Sequence, residues 1–319
     1  MGKIVCFHHN DTDGEAAAAI VNLKYPDKEK EFIPTSYPFS INALRFQFAI
    51  GIEHIFFVDL SFREGNIPEL NELAKTGIPI TWIDHHLSSK NVLDKHKDEF
   101  NPEINVVIDT NHCGAYLTYM YLHSNDDIIH NTTHCGVYSS HISDVSIPIF
   151  IRLVDVWDRH VTDSREWDAA VNFQYAITAV KNLQPTSDVW RELMVGGIPI
   201  LDYHIKKGQI IAEYLQEYNR HIIEKTGVIT SIRGIKCLAI NYVGTSMVFD
   251  QVRSKFPICM AWRHTGSEYE YSIYTDRNDI NCAAIAETFG GGGHPGAAGF
   301  HSEQLLFITE DCEEYTREE

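Results

Sequence analysis

Short apolar runs alternate with amphipathic or alanine-rich segments through the first 125 residues. Ile4-Val5-Cys6-Phe7 marks a buried strand over 3–8, and Gly14-Glu15 with Ala16–Ala19 opens a helix to about Leu23. The same texture returns at Ile55–Val58, which stops at Asp59, and at Ile80–Ile83, which stops at Asp84. Residues 70–75 are expected to be helical with Gly77 as the stop, 106–108 to be a strand, and Gly114–His123 the helix after it. Strand–helix alternation of this kind predicts a parallel sheet with helices on its faces. Ligands of such sheets bind at the carboxyl ends of the strands, where the acidic residues fall.

The pattern changes twice further on. Residues 145–225 are expected to be mainly helical, and from Tyr203 to about Glu224 the positions Ile210, Ile211, Tyr214, Leu215, Tyr218 and Ile222 recur at helical spacing, as in an amphipathic connector. Beyond Gly227 strands dominate, at 228–232, 235–241, 258–263 and 269–274, before a helix over 282–289. The expected fold class is α/β. A parallel-sheet N-terminal domain covers 1–200, a helical linker 201–228, and a smaller α/β C-terminal domain 229–319, with a substrate cleft between the domains.

Composition narrows the class. With 319 residues, 44% hydrophobic and 22% charged, the chain suits a globular protein of two domains. No apolar run approaches the roughly 18–20 residues of a membrane span, and the N-terminus reads as a first strand rather than a signal peptide. Gly2 lacks the Ser or Thr of a myristoylation motif. The seven cysteines are scattered, with no C-x-x-C pair, which points to a reducing, cytoplasmic location and against both a disulfide framework and a zinc knuckle. His112-Cys113 and His134-Cys135 do not have soft-metal spacing either. The net charge of −18 disfavours long duplex DNA but not a small phosphorylated substrate, because carboxylates can capture cations that attract phosphate.

The candidate chemistry lies in four places. His8-His9-Asn10-Asp11-Thr12-Asp13-Gly14 follows the first strand, Asp59 the second run and Asp84-His85-His86 the third; a later Asp is one of Asp155, Asp158 and Asp144. In an extended segment His9, Asp11 and Asp13 share a face, and Gly14 then permits the turn into the helix. Asp11 acting only as a helix cap accounts for one carboxylate, not for two with a His pair. Hard divalent ions prefer carboxylates, and Mn²⁺ tolerates imidazole best among them. Two such ions about 3.5–4 Å apart activate water and absorb charge on a phosphoryl group. Gly290-Gly291-Gly292-Gly293-His294 exceeds what packing alone requires, and its backbone N–H groups can approach an anion. Pro295 and Ala297-Ala298-Gly299-Phe300 argue against a flexible linker there.

In this order, His9-x-Asp11-x-Asp13-Gly14, Asp59, Asp84-His85-His86 and the Gly290–His294 segment resemble the DHH phosphoesterase superfamily with its GGGH-type C-terminal domain, over residues 8–300. The resemblance implies one metal on His9, Asp11 and Asp59, and a second on Asp13, Asp59, His85 and a fourth-motif Asp. Asp155 is chosen for that place because Asp155-x-Trp157 is similar to the family's motif. It also implies that His86 faces the scissile phosphate and that Asp84 orients its neighbours. Gly291, Gly292, Gly293 and His294 would hold the terminal nucleotide. Where many relatives carry an Arg, this chain has Tyr274, so Arg263 or Arg277 would replace the phosphate contact, or Tyr274 would stack on a base. Many relatives place their His four residues before the first Asp, where Phe7 stands here; His9 is the chosen ligand and His8 the fallback.

The implied activity is hydrolysis, with two Mn²⁺ or Mg²⁺ ions, of a small nucleotide or short single-stranded oligonucleotide. Short RNA oligonucleotides come first, then 3′-phosphoadenosine 5′-phosphate and cyclic or linear dinucleotides. An inorganic pyrophosphatase and a non-catalytic nucleotide sensor are the alternatives. The oligomeric state stays open.

Overall fold

Five strands make one all-parallel sheet in the order β2-β1-β3-β4-β5: β1 Lys3–His9, β2 Glu29–Thr35, β3 Ile52–Val58, β4 Ile80–Asp84 and β5 Ile104–Ile108. This computed structural model describes residues 2–37, 39–41, 51–124, 147–306 and 313–314; Asp144, the His134-Cys135 pair and Cys312 lie outside them.

The inner strands read as unbroken apolar runs because both faces are covered. Cys6, Phe56, Val58 and Ile83 point to one face, where they meet Ala16–Ala19 of helix α1 (Thr12–Lys24) and Ala115 and Leu117 of α4 (Gly114–His123). The small alanine side chains let α1 lie close to the sheet. Val5, Phe7, Ile55, Phe57 and Trp82 point the other way, against Phe62, Leu70 and Leu73; α2 is Ile67–Ala74. Each large side chain buried here stabilises the layer by about 1.5–3 kcal/mol.

A strand and a helix within the first 125 residues were not expected. β2 is an edge strand beside β1, with Glu29, Lys30 and Glu31 at its start and Pro34 near its end, where a missing N–H is tolerated. Helix α3 covers Leu87–His96 directly after the Asp84-His85-His86 turn. Helices α5 (Ile149–Asp158), α6 (Trp167–Thr178), α7 (Asp188–Val195) and α8 (Gly197–Thr226) follow. None of the described helices is long and apolar enough to cross a membrane.

The chain divides into two units, residues 1–209 and 210–319, and the 30-residue helix α8 runs through the division. In the second unit, seven strands line up as β10-β11-β9-β8-β7-β6-β12. They are β6 Val228–Ile232, β7 Ile235–Asn241, β8 Ile258–His264, β9 Tyr269–Tyr274, β10 Gly292–Gly293, β11 Ala297–Ser302 and β12 Glu313–Glu314. β7 and β8 pair in parallel and the other neighbours antiparallel. Helix α9 (Cys282–Glu287) packs on this sheet through Cys282 and Ala286.

Candidate metal centre

The carboxyl ends of β1, β3 and β4 bring their polar residues to one edge of the first sheet. β1 ends at His9, and Asp11 is the N-cap of α1. Asp11 Oδ1 accepts the Gly14 N–H at 2.9 Å, while Asp11 Oδ2 lies 2.7 Å from His9 Nδ1. The cap and the cluster therefore use different oxygens of one carboxylate. His9, Asp11 and Asp13 are not joined by an extended face as the spacing suggested; the chain turns into α1 at Thr12, and the turn is what gathers them. Gly14 serves clearance rather than an unusual turn, since a β-carbon there would sit 2.2 Å from the His9 carbonyl oxygen. His8 is buried, with Nδ1 2.9 Å from the His9 carbonyl oxygen, and is outside the converging donors; Phe7 belongs to the core.

Asp13 is buried, and both of its oxygens are held by the start of α4. Gly114 N–H donates to Oδ2 at 2.7 Å and Ala115 N–H to Oδ1 at 2.8 Å. A helix N-terminus favours negative charge. Gly114 is required there because a β-carbon would meet Asp59 and Asp13.

Asp59 follows β3 with a left-handed backbone, φ +55°. Most side chains pay about 1–2 kcal/mol for that region, and Asp tolerates it better than most. Its N–H donates to the Ile83 carbonyl at 2.8 Å, which fixes it beside β4. The two Asp59 oxygens then face different partners: Oδ2 lies 3.8 Å from His9 Nδ1 and Oδ1 3.1 Å from His85 Nε2. His85 Nε2 is also 3.6 Å from Asp13 Oδ2 and 3.5 Å from Asp158 Oδ2. Two sets of donors result, His9, Asp11 and Asp59 in one and Asp13, His85 and Asp158 in the other, with the atoms of each within 4.8 Å of one another.

The expected Asp155 does not join them; Asp158, one turn further along α5, does. Asp155 Oδ1 accepts the Cys113 N–H at 2.7 Å, and Oδ2 lies 3.3 Å from His112 Nδ1 and 3.4 Å from Arg159. Helix phase separates the two aspartates: residue 155 points to the start of α4 and residue 158 to His85.

Asp84 is fully buried at the end of β4. Its Oδ1 lies 2.7 Å from His86 Nδ1, and its Oδ2 accepts from the Ser89 hydroxyl, which lies 2.9 Å from Ser61 Oγ. Burial opposes a charge on His86, yet the Asp84 carboxylate overrides it and raises the imidazole to about 9. In contrast, burial and the neighbouring His86 lower His85 and keep it neutral, the form that can donate a lone pair. Burial, and next to it Asp158, pushes Asp13 up to about 7; burial, and next to it Asp11, pushes Asp158 up to about 7. Burial and Asp13 push Asp59 well up.

So many carboxylates cannot all ionise without a counter-charge. Asp59 Oδ1 and Asp158 Oδ2 are moreover buried without any hydrogen bond. Buried acceptors left in this way call for a ligand, and the oxygen-and-imidazole donor set fits a divalent cation.

No known family profile matches the sequence, and no curated protein does. Solved structures match it at low identity. The DHH domain of a member of a ribosomal-protein family is 13% identical with a TM-score of 0.59, covering 94% of this chain and 82% of that one. The chain has the DHH fold. RecJ from Thermus thermophilus, solved in complex with Mn²⁺, is 13% identical with a TM-score of 0.51 over 94% of this chain. The chain spans about half of that RecJ, 49% of its length.

In the second unit the glycine segment is part of the sheet, as β10 pairs with β11. Packing explains more of it than expected. A β-carbon on Gly291 would lie 2.1 Å from the Gly299 carbonyl oxygen, and one on Gly293 (φ +146°) 2.6 Å from that of Ala297. Gly292 pairs with Gly299 across the sheet. His294 sits in a tight turn, its N–H donating to the Ala297 carbonyl at 2.7 Å. Arg263 is exposed and held by Glu270, and Arg277 by Asp279, so both expected replacement cations are already paired. Arg253 lies beside Tyr274, its guanidinium carbon 5.9 Å from the ring centre; it too is paired, 3.5 Å from both Asp250 and Asp276, but unlike the other two its side chain is largely buried.

Sequence reasoning missed Arg253, which sits in a short turn with no periodicity to flag it. It also missed Tyr37, whose hydroxyl accepts the Ser61 N–H and whose ring lies 5.4 Å from that of His9. The serines around Asp84 carried no signal, because they are brought together across 28 residues by the fold.

Proposed function

We propose that the protein is a metal-dependent phosphoesterase acting on small nucleotides or short single-stranded oligonucleotides, with short RNA as the first candidate. Asp59 carries the reading: one carboxylate turns an oxygen to each of two donor sets. On this reading His9, Asp11 and Asp59 hold one divalent cation, and Asp13, Asp59, His85 and Asp158 hold a second, Mn²⁺ or Mg²⁺. The cations would supply an activated water and a sink for phosphoryl charge.

The chain's own side chains set the rest. Asp84 holds His86 by Nδ1 and so orients the ring, whose Nε2 is the nitrogen proposed to meet a phosphoryl oxygen or a departing alkoxide. Ser89 holds Asp84 in turn. In the second unit, His294, Gly292, Tyr274 and Arg253 are the groups proposed to hold the nucleotide, Tyr274 by stacking and Arg253 by charge. RecJ, a fold neighbour solved with Mn²⁺, lends support. So does the net charge of −18, which suits small substrates better than long duplexes.

The test is a panel of 3′-phosphoadenosine 5′-phosphate, di- to pentanucleotides, cyclic dinucleotides and pyrophosphate, assayed with Mn²⁺. Release of mononucleotides, lost in Asp59→Ala, supports the proposal. Turnover of pyrophosphate alone, or nucleotide binding with no turnover of any of them, overturns it.

A further inference from the structure

The ring of Tyr37 faces two imidazoles of the candidate site at once. Its centre lies 5.4 Å from that of His9 and 6.4 Å from that of His86, and the centres of His9 and His86 are 6.2 Å apart. The three rings make a nearly equilateral triangle. Tyr37 meets His86 edge to face, at 74°, an arrangement in which aromatic rings attract. Tyr37 thus touches both the imidazole of the first donor set and the imidazole held by Asp84.

Two moorings fix the Tyr37 ring. Its hydroxyl accepts the N–H of Ser61, a buried residue two places past Asp59. Behind it, ring centres follow one another at 5.7 Å from Tyr37 to Phe39, 5.7 Å to Phe62 and 4.8 Å to Trp82, so the aromatic core of the first sheet reaches the site through Tyr37. Ser61 serves the other side of His86 as well. Its Oγ lies 2.9 Å from Ser89 Oγ, Ser89 donates to Asp84, and Asp84 Oδ1 lies 2.7 Å from His86 Nδ1. The contacts close on themselves, from Tyr37 to His86, Asp84, Ser89, Ser61 and back to Tyr37.

A single hydrogen bond at Nδ1 leaves an imidazole free to turn about that bond, and contacts with neighbouring rings take up the freedom. Of the rings around His86, His9 and His85 belong to the donor sets, whereas Tyr37 is moored to backbone and core. We propose that Tyr37 is a positioning residue of the site, which holds the His86 imidazole at a set distance and tilt from His9. It rests on the phosphoesterase reading for what His86 does. A phenylalanine would fill the same space; the hydroxyl is what ties the ring to Ser61, whose buried N–H loses its acceptor without it.

Tyr37→Leu removes ring and mooring, and Tyr37→Phe the mooring alone. Calorimetric titration of the full chain with Mn²⁺, without substrate, should show binding weakened about threefold to tenfold in Tyr37→Leu, because His9 loses its neighbour. With saturating Mn²⁺ and the substrate turned over in the panel above, kcat should fall about 10–100-fold in Tyr37→Leu and about threefold to tenfold in Tyr37→Phe, with KM within about threefold of wild type. A double-mutant cycle separates positioning from packing. Beside His86→Ala, Tyr37→Leu should cost no more than about a further threefold, since the ring it acts through is gone; a residue that only packs costs the same factor in both backgrounds. Cooperative melting checks that each variant is folded, and if Tyr37→Leu does not fold, Tyr37→Phe carries the same cycle. Equal losses in the two backgrounds overturn the proposal, as does unchanged Mn²⁺ affinity in Tyr37→Leu. A chain that binds Mn²⁺ and hydrolyses nothing in the panel ends the phosphoesterase reading, and the Mn²⁺ titration then decides the role of Tyr37 by itself.

Discussion

Gly114 lies against Asp59 so closely that a β-carbon on it would stand 2.7 Å from the Asp59 β-carbon and 3.0 Å from Asp13 Oδ2. The first is shorter than real β-carbons come and the second is at the tight end of what they show, and Asp59 has little room to retreat, since its N–H is tied to Ile83. Gly114→Ala should cost about 1–3 kcal/mol of stability and displace the two carboxylates together. Mn²⁺ titration by calorimetry should show weakened binding in a variant that still melts cooperatively. Unchanged affinity would mean that the carboxylates are not the cation's donors.

Asp59→Asn should have opposite effects with and without cations. In chelator, removing one of several crowded carboxylates relieves repulsion, so the variant should melt higher than wild type, by an equivalent of about 1–2 kcal/mol. In Mn²⁺ at about a hundred times its Kd, wild type should gain about 2.7 kcal/mol and the variant much less. Scanning calorimetry in both buffers reads the crossing.

Asp155 and Asp158 should separate cleanly. Asp158→Asn should weaken Mn²⁺ binding and abolish turnover with little loss of stability. Asp155→Ala strands the buried Cys113 N–H and should cost about 1–3 kcal/mol, with a smaller effect on affinity. Denaturant melts paired with metal titrations distinguish the two.

Ser89→Ala leaves one oxygen of the buried Asp84 without its hydroxyl and loosens the hold on His86. kcat should fall about 10–100-fold with the metal affinity unchanged. Steady-state kinetics beside a Mn²⁺ titration measures both.

His54 supplies a pH dependence away from the site. Its ring stacks on Phe56 with centroids 4.1 Å apart and its Nε2 lies 2.9 Å from Thr81 Oγ1. Burial lowers its pKa from 6.5 to about 4, against the opposing charge of Glu53. The folded chain therefore binds this proton less readily than the unfolded one. Its contribution is complete above about pH 6.5 and is lost as the pH falls toward 4, amounting to about 1–2 kcal/mol after allowance for partial exposure. His54→Gln should flatten that part of the stability-against-pH curve from urea melts.

Much of the fold was legible because burial imposes periodicity. The helix Gly114–His123 and the strands β6, β7 and β9 lie where the apolar pattern places them. β2 escaped because its start is charged and its pairing comes from β1 rather than from its own side chains. Strand ends pointed to Asp59 and Asp84-His85-His86, since polar residues after a buried run have few other places to go. Asp155 and Asp158 are one helical turn apart, and no pattern ranks them; only the distances to His85 and Cys113 do. The same holds for Gly291 and Gly293, whose crowding against β11 is invisible until the register is known.

The order β2-β1-β3-β4-β5 has a kinetic consequence. Parallel neighbours cannot zip up as hairpins, so every pairing in this sheet must first close a long crossover. The six donors, from His9 to Asp158, meet only after β1, β3 and β4 have paired and α5 has packed beside them. A cation added during refolding should slow the escape from the native basin while leaving the rate of entry into it untouched.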